Sequence, residues 1–134
     1  MRKIDKIIIH CAATGEGQPF TAKDIDSWHK RQGWKGIGYH YVILLDGTVE
    51  TGRPESETGA HTVGQNPHSI GICYIGGLDS AGKPKDTRTD AQKAAMHKLV
   101  AGLLKKYPGA TVHGHNEFAN KACPCFDVKK EFST

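Results

Sequence analysis

The hydrophobic pattern begins with a short apolar run near the N-terminus, residues 6–10 (KIIIH). Because this run is β-branched and has no polar alternation, it predicts a strand that is buried on both faces. Residues 69–75 (SIGICYI) form a second run of the same kind and predict another central strand. His10 therefore lies at the carboxyl end of a buried strand.

Two stretches carry apolar side chains at helical spacing behind a capping-box signal. The first begins at Thr21 (TAKD) and predicts a helix to about Gly33, with Trp28 packed on the sheet. The second begins at Thr89, has an apolar face of alanine, leucine and valine, and ends at residues 107–109 (YPG). Each helix follows a predicted strand or hairpin, so helices and strands alternate along the chain.

Two strand-like runs, residues 39–45 and 48–51, flank the pair Asp46 and Gly47. An Asp-Gly pair suits a type I′ turn, so the pattern predicts a β-hairpin. This prediction puts Tyr39 at the start of a strand.

The segments between these elements are polar and rich in turn-forming residues. Residues 52–67 are rich in Gly, Pro, Thr and Asn and predict a surface loop that could wall a groove. Residues 76–88 are polar and are predicted to be flexible. A last short strand at about residues 110–113 is expected to lead directly into a loop over residues 115–123.

The order strand, helix, hairpin, strand, helix, strand predicts an α/β fold with a mixed central sheet of about five strands and helices packed on it. The chain has 134 residues, of which 37% are hydrophobic and 24% charged. This length and composition fit a single domain over residues 1–134 with one core.

Composition also narrows the class of partner. No segment approaches the roughly 20 consecutive apolar residues that span a bilayer, so we expect no membrane insertion. The apolar run at the N-terminus is too short for a signal peptide, so we expect synthesis in the cytosol without an export signal. The net charge of +4 favours an anionic partner such as bacterial cell wall or nucleic acid. Nucleic acid is the less favoured of these two partners, because the positive charges are scattered along the chain.

Metal-ligand chemistry concentrates near the C-terminus, in residues 113–127 (HGHNEFANKACPCFD). His115 and Cys123, together with the distant His10, supply the N and S donors of a catalytic zinc site whose fourth position stays open. Two neutral imidazoles and one thiolate leave such a site with a charge of about +1. Extra electrophilic help at a developing oxyanion then matters more, and Lys121 or a tyrosine hydroxyl could give it.

The donor pattern leaves alternatives open at two positions. His113 and His115 share a face of an extended chain, so either could be a ligand. Cys125 competes with Cys123, although the intervening proline favours divergent side chains. Cys73, inside the second apolar run, is expected in the core. Four cysteines in a chain expected in the cytosol favour metal ligands or buried thiols over a disulfide framework.

These segments resemble the zinc-dependent N-acetylmuramoyl-L-alanine amidases, a family that includes small phage lysozymes of amidase type and peptidoglycan recognition proteins. The resemblance covers nearly the whole chain and is especially close to the phage members. It is strongest at IIIHCAAT, SWHKRQGWKGIGYHYVILLDGTVETGR, GAHTVGQNPHSIGICYIGG and HGHNEFANKACPCFD.

The resemblance implies that His10, His115 and Cys123 are the zinc ligands and that Tyr39 and Lys121 are catalytic. The family cleaves the amide bond between N-acetylmuramic acid and the L-alanine of the stem peptide. In that reaction Tyr39 and Lys121 would stabilise the oxyanion. Some relatives carry a glutamate on the strand that reads GICYIGG here, so the general base stays open.

The resemblance also implies peptidoglycan or a muropeptide as substrate. Three residues match the groove region of the family and are candidates for substrate contact: His61, Asn66 and His68. Arg53 is a further candidate, since a guanidinium suits the carboxylate of a stem peptide. We expect a monomeric phage or prophage lysis enzyme that acts on the cell wall after release, and the sequence identifies no regulatory protein partner. The alternative is a module that binds muropeptides without cutting them.

Overall fold

The computed structural model describes residues 2–132. Its strands are β1 (Lys6–Cys11), β2 (Thr14–Gly15), β3 (Tyr41–Ile43), β4 (Val49–Thr51), β5 (Ser69–Tyr74), β6 (Gly77–Leu78) and β7 (Thr111–Gly114). Five of them form a mixed sheet in the order β4-β3-β5-β1-β7. Strands β1 and β5 are parallel neighbours at its centre, with β7 parallel to β1 on the other side. Strand β3 runs parallel to β5, and β4 closes the opposite edge as the antiparallel partner of β3.

Helices cover both faces of this sheet, as the sequence predicts. Helix α1 (Ala22–Arg31) starts behind Thr21 and α2 (Asp90–Lys106) starts behind Thr89, each with a capping box. The apolar face of α2 packs on one side of the sheet, and α1 packs on the other side with Trp28 against it. The α/β fold with a mixed sheet of five strands is therefore confirmed.

The central strands are buried along their whole length, because each has strands on both sides and helices on both faces. All six residues of β5 are buried, and in β1 only the first residue is partly exposed. Cys73 lies opposite His10 in the pairing of β5 with β1 and is fully buried. The prediction that Cys73 is a core residue is confirmed.

The hairpin forms, but its strands are shorter than predicted and its turn is different. The Gly47 N–H donates to the Leu44 carbonyl at 2.9 Å, and the Leu44 N–H donates to the Thr48 carbonyl at 2.8 Å. Gly47 has a φ of 89°, whereas Asp46 has no positive φ. A type I′ turn needs a positive φ at both residues. The predicted type I′ turn is therefore wrong, and a three-residue turn ending at Gly47 replaces it.

Tyr39 does not start a strand. Strand β3 begins two residues later, at Tyr41. The ring of Tyr41 packs in the core on the α2 side of the sheet, while Tyr39 packs in the core on the α1 side. Tyr39 and Tyr41 therefore do not share a face, as they would in one regular strand.

Three further elements, β2, β6 and α3, are not predicted by the sequence pattern. Residues 76–88, expected to be flexible, contain strand β6, which pairs with β2 in a small second sheet. A short helix α3 (Val128–Glu131) follows the cysteine-containing loop.

A buried arginine attaches α3 to the rest of the fold. The Arg88 side chain is only 1% exposed, and its guanidinium donates to Glu131 of α3 at 2.6 and 2.7 Å and to Asp86 at 2.9 and 3.0 Å. The same group lies 3.5 Å from the centre of the Phe126 ring. Because Phe126 and Glu131 follow Cys123 in the chain, Arg88 holds the segment that presents this cysteine.

Replacing Arg88 with leucine is expected to lower the free energy of unfolding by about 3 kcal/mol, since it leaves two partly buried carboxylates without their shared cation. Urea denaturation followed by circular dichroism measures this change. Lys85→Met is the matched control, because it breaks the exposed ion pair of Lys85 with Glu16. A loss for Arg88→Leu no larger than that of the control would contradict the role of Arg88.

Candidate metal centre and cleft

Side chains from both ends of the chain meet at the carboxyl edge of the central strands. His10 lies near the end of β1, His115 follows β7 directly, and Cys123 lies in the next loop. Because β1 and β7 are parallel neighbours, their carboxyl ends share an edge of the sheet. One ligand atom from each of the three residues lies within 4.8 Å of the others. The structure thus brings together the three residues that the sequence analysis selected.

The orientation of these side chains suits a metal ion. Nδ1 of His10 lies 4.0 Å from Sγ of Cys123, and the rings of His10 and His115 are 4.5 Å apart. Burial lowers the pKa of His10 well below its usual value, and it also lowers the pKa of His115, with the nearby Lys121 charge adding to both shifts. Both imidazoles are therefore neutral near pH 7, which is the form that binds a metal.

The donor set fits zinc in particular. Two imidazole nitrogens and one sulfur are typical zinc ligands, at distances that put two donors of a tetrahedral ion roughly 3.5 Å apart. The separation of 4.0 Å between sulfur and nitrogen is close to that value. The backbone N–H of Cys11 donates to Sγ of Cys123 at 3.2 Å.

The two rival ligands point elsewhere. The ring of His113 contacts Glu117 through Nδ1 at 2.8 Å and Thr111 through Nε2 at 2.6 Å. The thiol of Cys125 lies 3.4 Å from the Gly77 carbonyl. Neither side chain belongs to the group of ligand atoms around His10. The direction of the side chains therefore favours His115 and Cys123 over these two alternatives.

A cleft of about 360 Å³ opens beside the ligand cluster, and both Tyr39 and Lys121 line it together with His115. The Tyr39 ring lies 5.1 Å from the His10 ring. Burial raises the pKa of Tyr39 well above its usual value, so its hydroxyl stays protonated and can donate a hydrogen bond. The exposed Lys121 adds a positive charge at the same wall. Tyr39 and Lys121 therefore share the cleft with one of the three candidate metal ligands.

The four predicted substrate residues have different positions. His61 and Asn66 line the cleft, but His68 and Arg53 do not. The Arg53 guanidinium instead donates to the carbonyls of Ile37 and Thr58, each at 2.8 Å. His68 is exposed, and its Nδ1 lies 3.0 Å from the Lys3 carbonyl.

Four residues that line the cleft were not selected by the sequence analysis: Trp34, Ala60, Thr62 and Val63. Trp34 is 39% exposed, which is unusual for a tryptophan, but exposure cannot be recognised from a single sequence. Thr62 is buried, and its hydroxyl lies 3.2 Å from Nε2 of His10. The only sequence signal for Thr62 is its place next to His61.

The strand that reads GICYIGG supplies no general base to the cleft. Cys73 and Tyr74 are both fully buried. Burial raises the pKa of both side chains, and the Tyr74 hydroxyl donates to the Pro124 carbonyl at 2.6 Å. Tyr74 therefore supports the loop that carries Cys123 and does not contact the cleft.

Comparison with known proteins identifies the family. The sequence profile of the family described as N-acetylmuramoyl-L-alanine amidase matches residues 1–126. The chain belongs to this family. The endolysin of Escherichia phage T7 is 47% identical over 126 residues, which cover 94% of this chain and 83% of the relative.

Solved structures of this amidase family have the same fold. N-acetylmuramoyl-L-alanine amidase LysC from Clostridium intestinale superposes with a TM-score of 0.82 at 30% identity, covering 97% of this chain and 82% of the other. A mutant of Drosophila PGRP-LB in complex with tracheal cytotoxin gives a TM-score of 0.82 at 26% identity, covering 100% of this chain and 82% of the other. The chain is therefore an N-acetylmuramoyl-L-alanine amidase in both sequence and fold.

Proposed function

We propose that this amidase is a zinc-dependent lysis enzyme of the endolysin type, which cleaves the amide bond between N-acetylmuramic acid and the L-alanine of the stem peptide in peptidoglycan. The observation that carries the proposal is the cluster of His10, His115 and Cys123 at a cleft that Tyr39 and Lys121 line. Three protein ligands beside a cleft are typical of catalytic zinc, whereas structural zinc is closed by four.

The residues of the cleft have separate roles in this proposal. His10, His115 and Cys123 would hold the ion, and at that position it would supply Lewis-acid chemistry to a carbonyl and to water. Tyr39 donates a hydrogen bond from its protonated hydroxyl to the oxygen on which negative charge develops. Lys121 stabilises the same charge with its ammonium group. Donors that are already in place where negative charge develops lower the activation barrier, because they stabilise the transition state more than the bound substrate.

The substrate assignment rests on the family and on the cleft together. The PGRP-LB structure is a complex with tracheal cytotoxin, and the superposition with it covers 100% of this chain. We infer that a muropeptide segment lies in the cleft with its scissile carbonyl facing Tyr39 and Lys121. A module that binds without cutting is the second candidate, but the complete ligand set counts against it.

The role in lysis follows the similarity to phage endolysins, which act on the cell wall after release. In the described part of the chain, no helix is long and apolar enough to cross a bilayer. We propose that the protein reaches peptidoglycan as a monomer. Its positive net charge of +4 favours binding to an anionic cell wall.

Removal of the metal tests the proposal. Dialysis against a strong chelator is expected to abolish peptidoglycan hydrolysis, because the proposed reaction needs the ion as its Lewis acid. One equivalent of Zn²⁺ per chain is expected to restore the activity. Turbidity of a cell-wall suspension and elemental analysis of the protein measure both quantities. Addition of Mg²⁺ is the control and should not restore activity, since this ion prefers oxygen ligands. Full activity in protein shown to be metal-free would refute the zinc requirement.

A further inference from the structure

His61 lies behind His10, on the side of the ring that faces away from the ligand cluster. Nδ1 of His10 is 4.0 Å from Sγ of Cys123, while Nε2 of the same ring is 2.9 Å from Nδ1 of His61. The two rings are nearly perpendicular, at 85° with centres 4.9 Å apart. One nitrogen of His10 thus faces the metal site, and the other makes a short contact with a second imidazole.

The fold contains a slot for the His61 ring. A Cβ atom at Gly71 would lie 2.6 Å from Cδ2 of His61, and a Cβ at Gly59 would lie 2.7 Å from the same atom. Both distances are far below van der Waals contact, so any side chain at either glycine would displace the ring. The ring therefore packs directly against the backbone at two glycines, as a positioned group does and a free surface histidine does not.

Asn66 fixes the backbone that carries this ring. Its Oδ1 accepts hydrogen bonds from the backbone N–H of His61 at 3.0 Å and from that of Thr62 at 2.9 Å. Asn66 is one of the residues for which the sequence predicts substrate contact, yet its carbonyl oxygen is already used inside the loop. The loop next to the cleft is thus organised around His61 and Thr62.

The position of the proton on His10 follows from its metal-facing nitrogen. When Nδ1 binds a metal, the one proton of a neutral imidazole is on Nε2 and needs an acceptor. Nδ1 of His61 lies nearer to it, at 2.9 Å, than Oγ1 of Thr62, at 3.2 Å. His61 can accept there only with its own proton on Nε2, and that atom lies 3.3 Å from Oγ of the buried Ser69.

We propose that His61 is a positioning residue for the zinc site, which accepts the Nε2 proton of His10 and so fixes the tautomer and orientation of that ligand. This inference rests on the proposed zinc-dependent function. Many zinc-bound histidines donate to a carboxylate or a carbonyl in this way, and here an imidazole takes that place. His61 thus acts on zinc through His10 and is not confined to contact with substrate.

The zinc affinity of His61 variants tests this proposal with a readout other than activity. His61→Leu keeps a similar bulk but has no acceptor, and loss of such a partner typically weakens metal binding by about 10- to 100-fold. His61→Asn keeps an acceptor near the position of Nδ1 and is expected to recover most of the affinity. Competition with a chromophoric chelator measures each dissociation constant. His68→Leu, at an exposed histidine outside the cleft, is the control and is expected to bind as the wild type does.

The outcomes separate this proposal from the proposed function. Wild-type affinity in folded His61→Leu, or equal losses in the leucine and asparagine variants, would overturn the role of His61. His10→Ala shows which claim has failed. If His10→Ala binds zinc as tightly as the wild type, the ligand assignment itself is wrong. If it loses zinc while His61→Leu retains it, only the positioning role is wrong.

The tautomer of His61 can also be measured without any variant, which covers the case in which a substitution prevents folding. In zinc-loaded wild-type protein labelled with ¹⁵N at histidine, NMR is expected to show His61 with its proton on Nε2 and a bare Nδ1. A proton on Nδ1 of His61 would overturn the proposal, because that nitrogen could then not accept from His10.

Discussion

Replacing Cys123 with serine is expected to abolish both zinc binding and peptidoglycan hydrolysis. A serine hydroxyl is a much poorer zinc ligand than a thiolate, and the two remaining imidazoles do not make a complete site. Loss of a metal that supplies several kcal/mol of transition-state stabilisation lowers the rate by about a thousandfold or more. Zinc content and the initial rate of cell-wall clearing measure the two effects on the same preparation.

Cys125→Ser is the matched control for this experiment. Cys125 is two residues from Cys123, but its thiol faces the Gly77 carbonyl at 3.4 Å and the Cys11 thiol at 4.0 Å, away from the ligand cluster. The control is expected to retain zinc and activity close to wild type. If Cys125→Ser lost zinc and Cys123→Ser kept it, the ligand assignment would be reversed.

Replacing Tyr39 with phenylalanine is expected to lower kcat by about 10²- to 10³-fold, the usual effect of removing one donor to a developing oxyanion. The ring and its packing beside His10 are retained, so zinc content should not change. The change in KM is expected to be small, because the hydroxyl acts mainly on the transition state. Steady-state kinetics on a soluble muropeptide measure both constants.

Tyr41→Phe provides the comparison for Tyr39. The Tyr41 hydroxyl donates to Glu55, and its ring packs in the core on the α2 side of the sheet, away from the cleft. This variant is expected to keep kcat close to wild type. An unchanged kcat in Tyr39→Phe would contradict the catalytic role of Tyr39, and a loss of zinc there would show that its role is structural.

The sequence predicts the central strands and the two long helices because their patterns are local. The isoleucine run of β1 and the apolar run of β5 need no distant information to be recognised as buried strands. The capping boxes at Thr21 and Thr89 mark the helix starts within a few residues. The fold class follows from the order of these elements.

The features that the sequence does not predict depend on distant contacts. Strand β6 forms only because it pairs with β2, more than sixty residues earlier in the chain. Tyr39 lies outside the expected strand, which begins at Tyr41, and its ring lies 5.1 Å from the ring of His10, a residue distant in the sequence. The buried arrangement of Arg88 with α3 likewise joins segments whose charges look ordinary in the sequence.

In the candidate site, too, the sequence predicts which residues take part, whereas their contacts depend on the tertiary fold. Residue types and family resemblance select His10, His115 and Cys123, and the parallel pairing of β1 with β7 brings these residues together. Arg53 was selected for its chemistry, but its guanidinium holds backbone carbonyls outside the cleft. The contact of His61 with the far side of His10 depends on how a loop packs, which a hydrophobic pattern does not report.

Mass spectrometry of purified peptidoglycan after incubation with the zinc-loaded protein tests the central claim most directly. The expected products are free stem peptides that begin with L-alanine, with no new reducing sugar ends and no products from Cys123→Ser. Peptidoglycan that binds the protein and stays intact would contradict the account, and would mean that the cleft beside His10, His115 and Cys123 recognises muropeptides without cutting them.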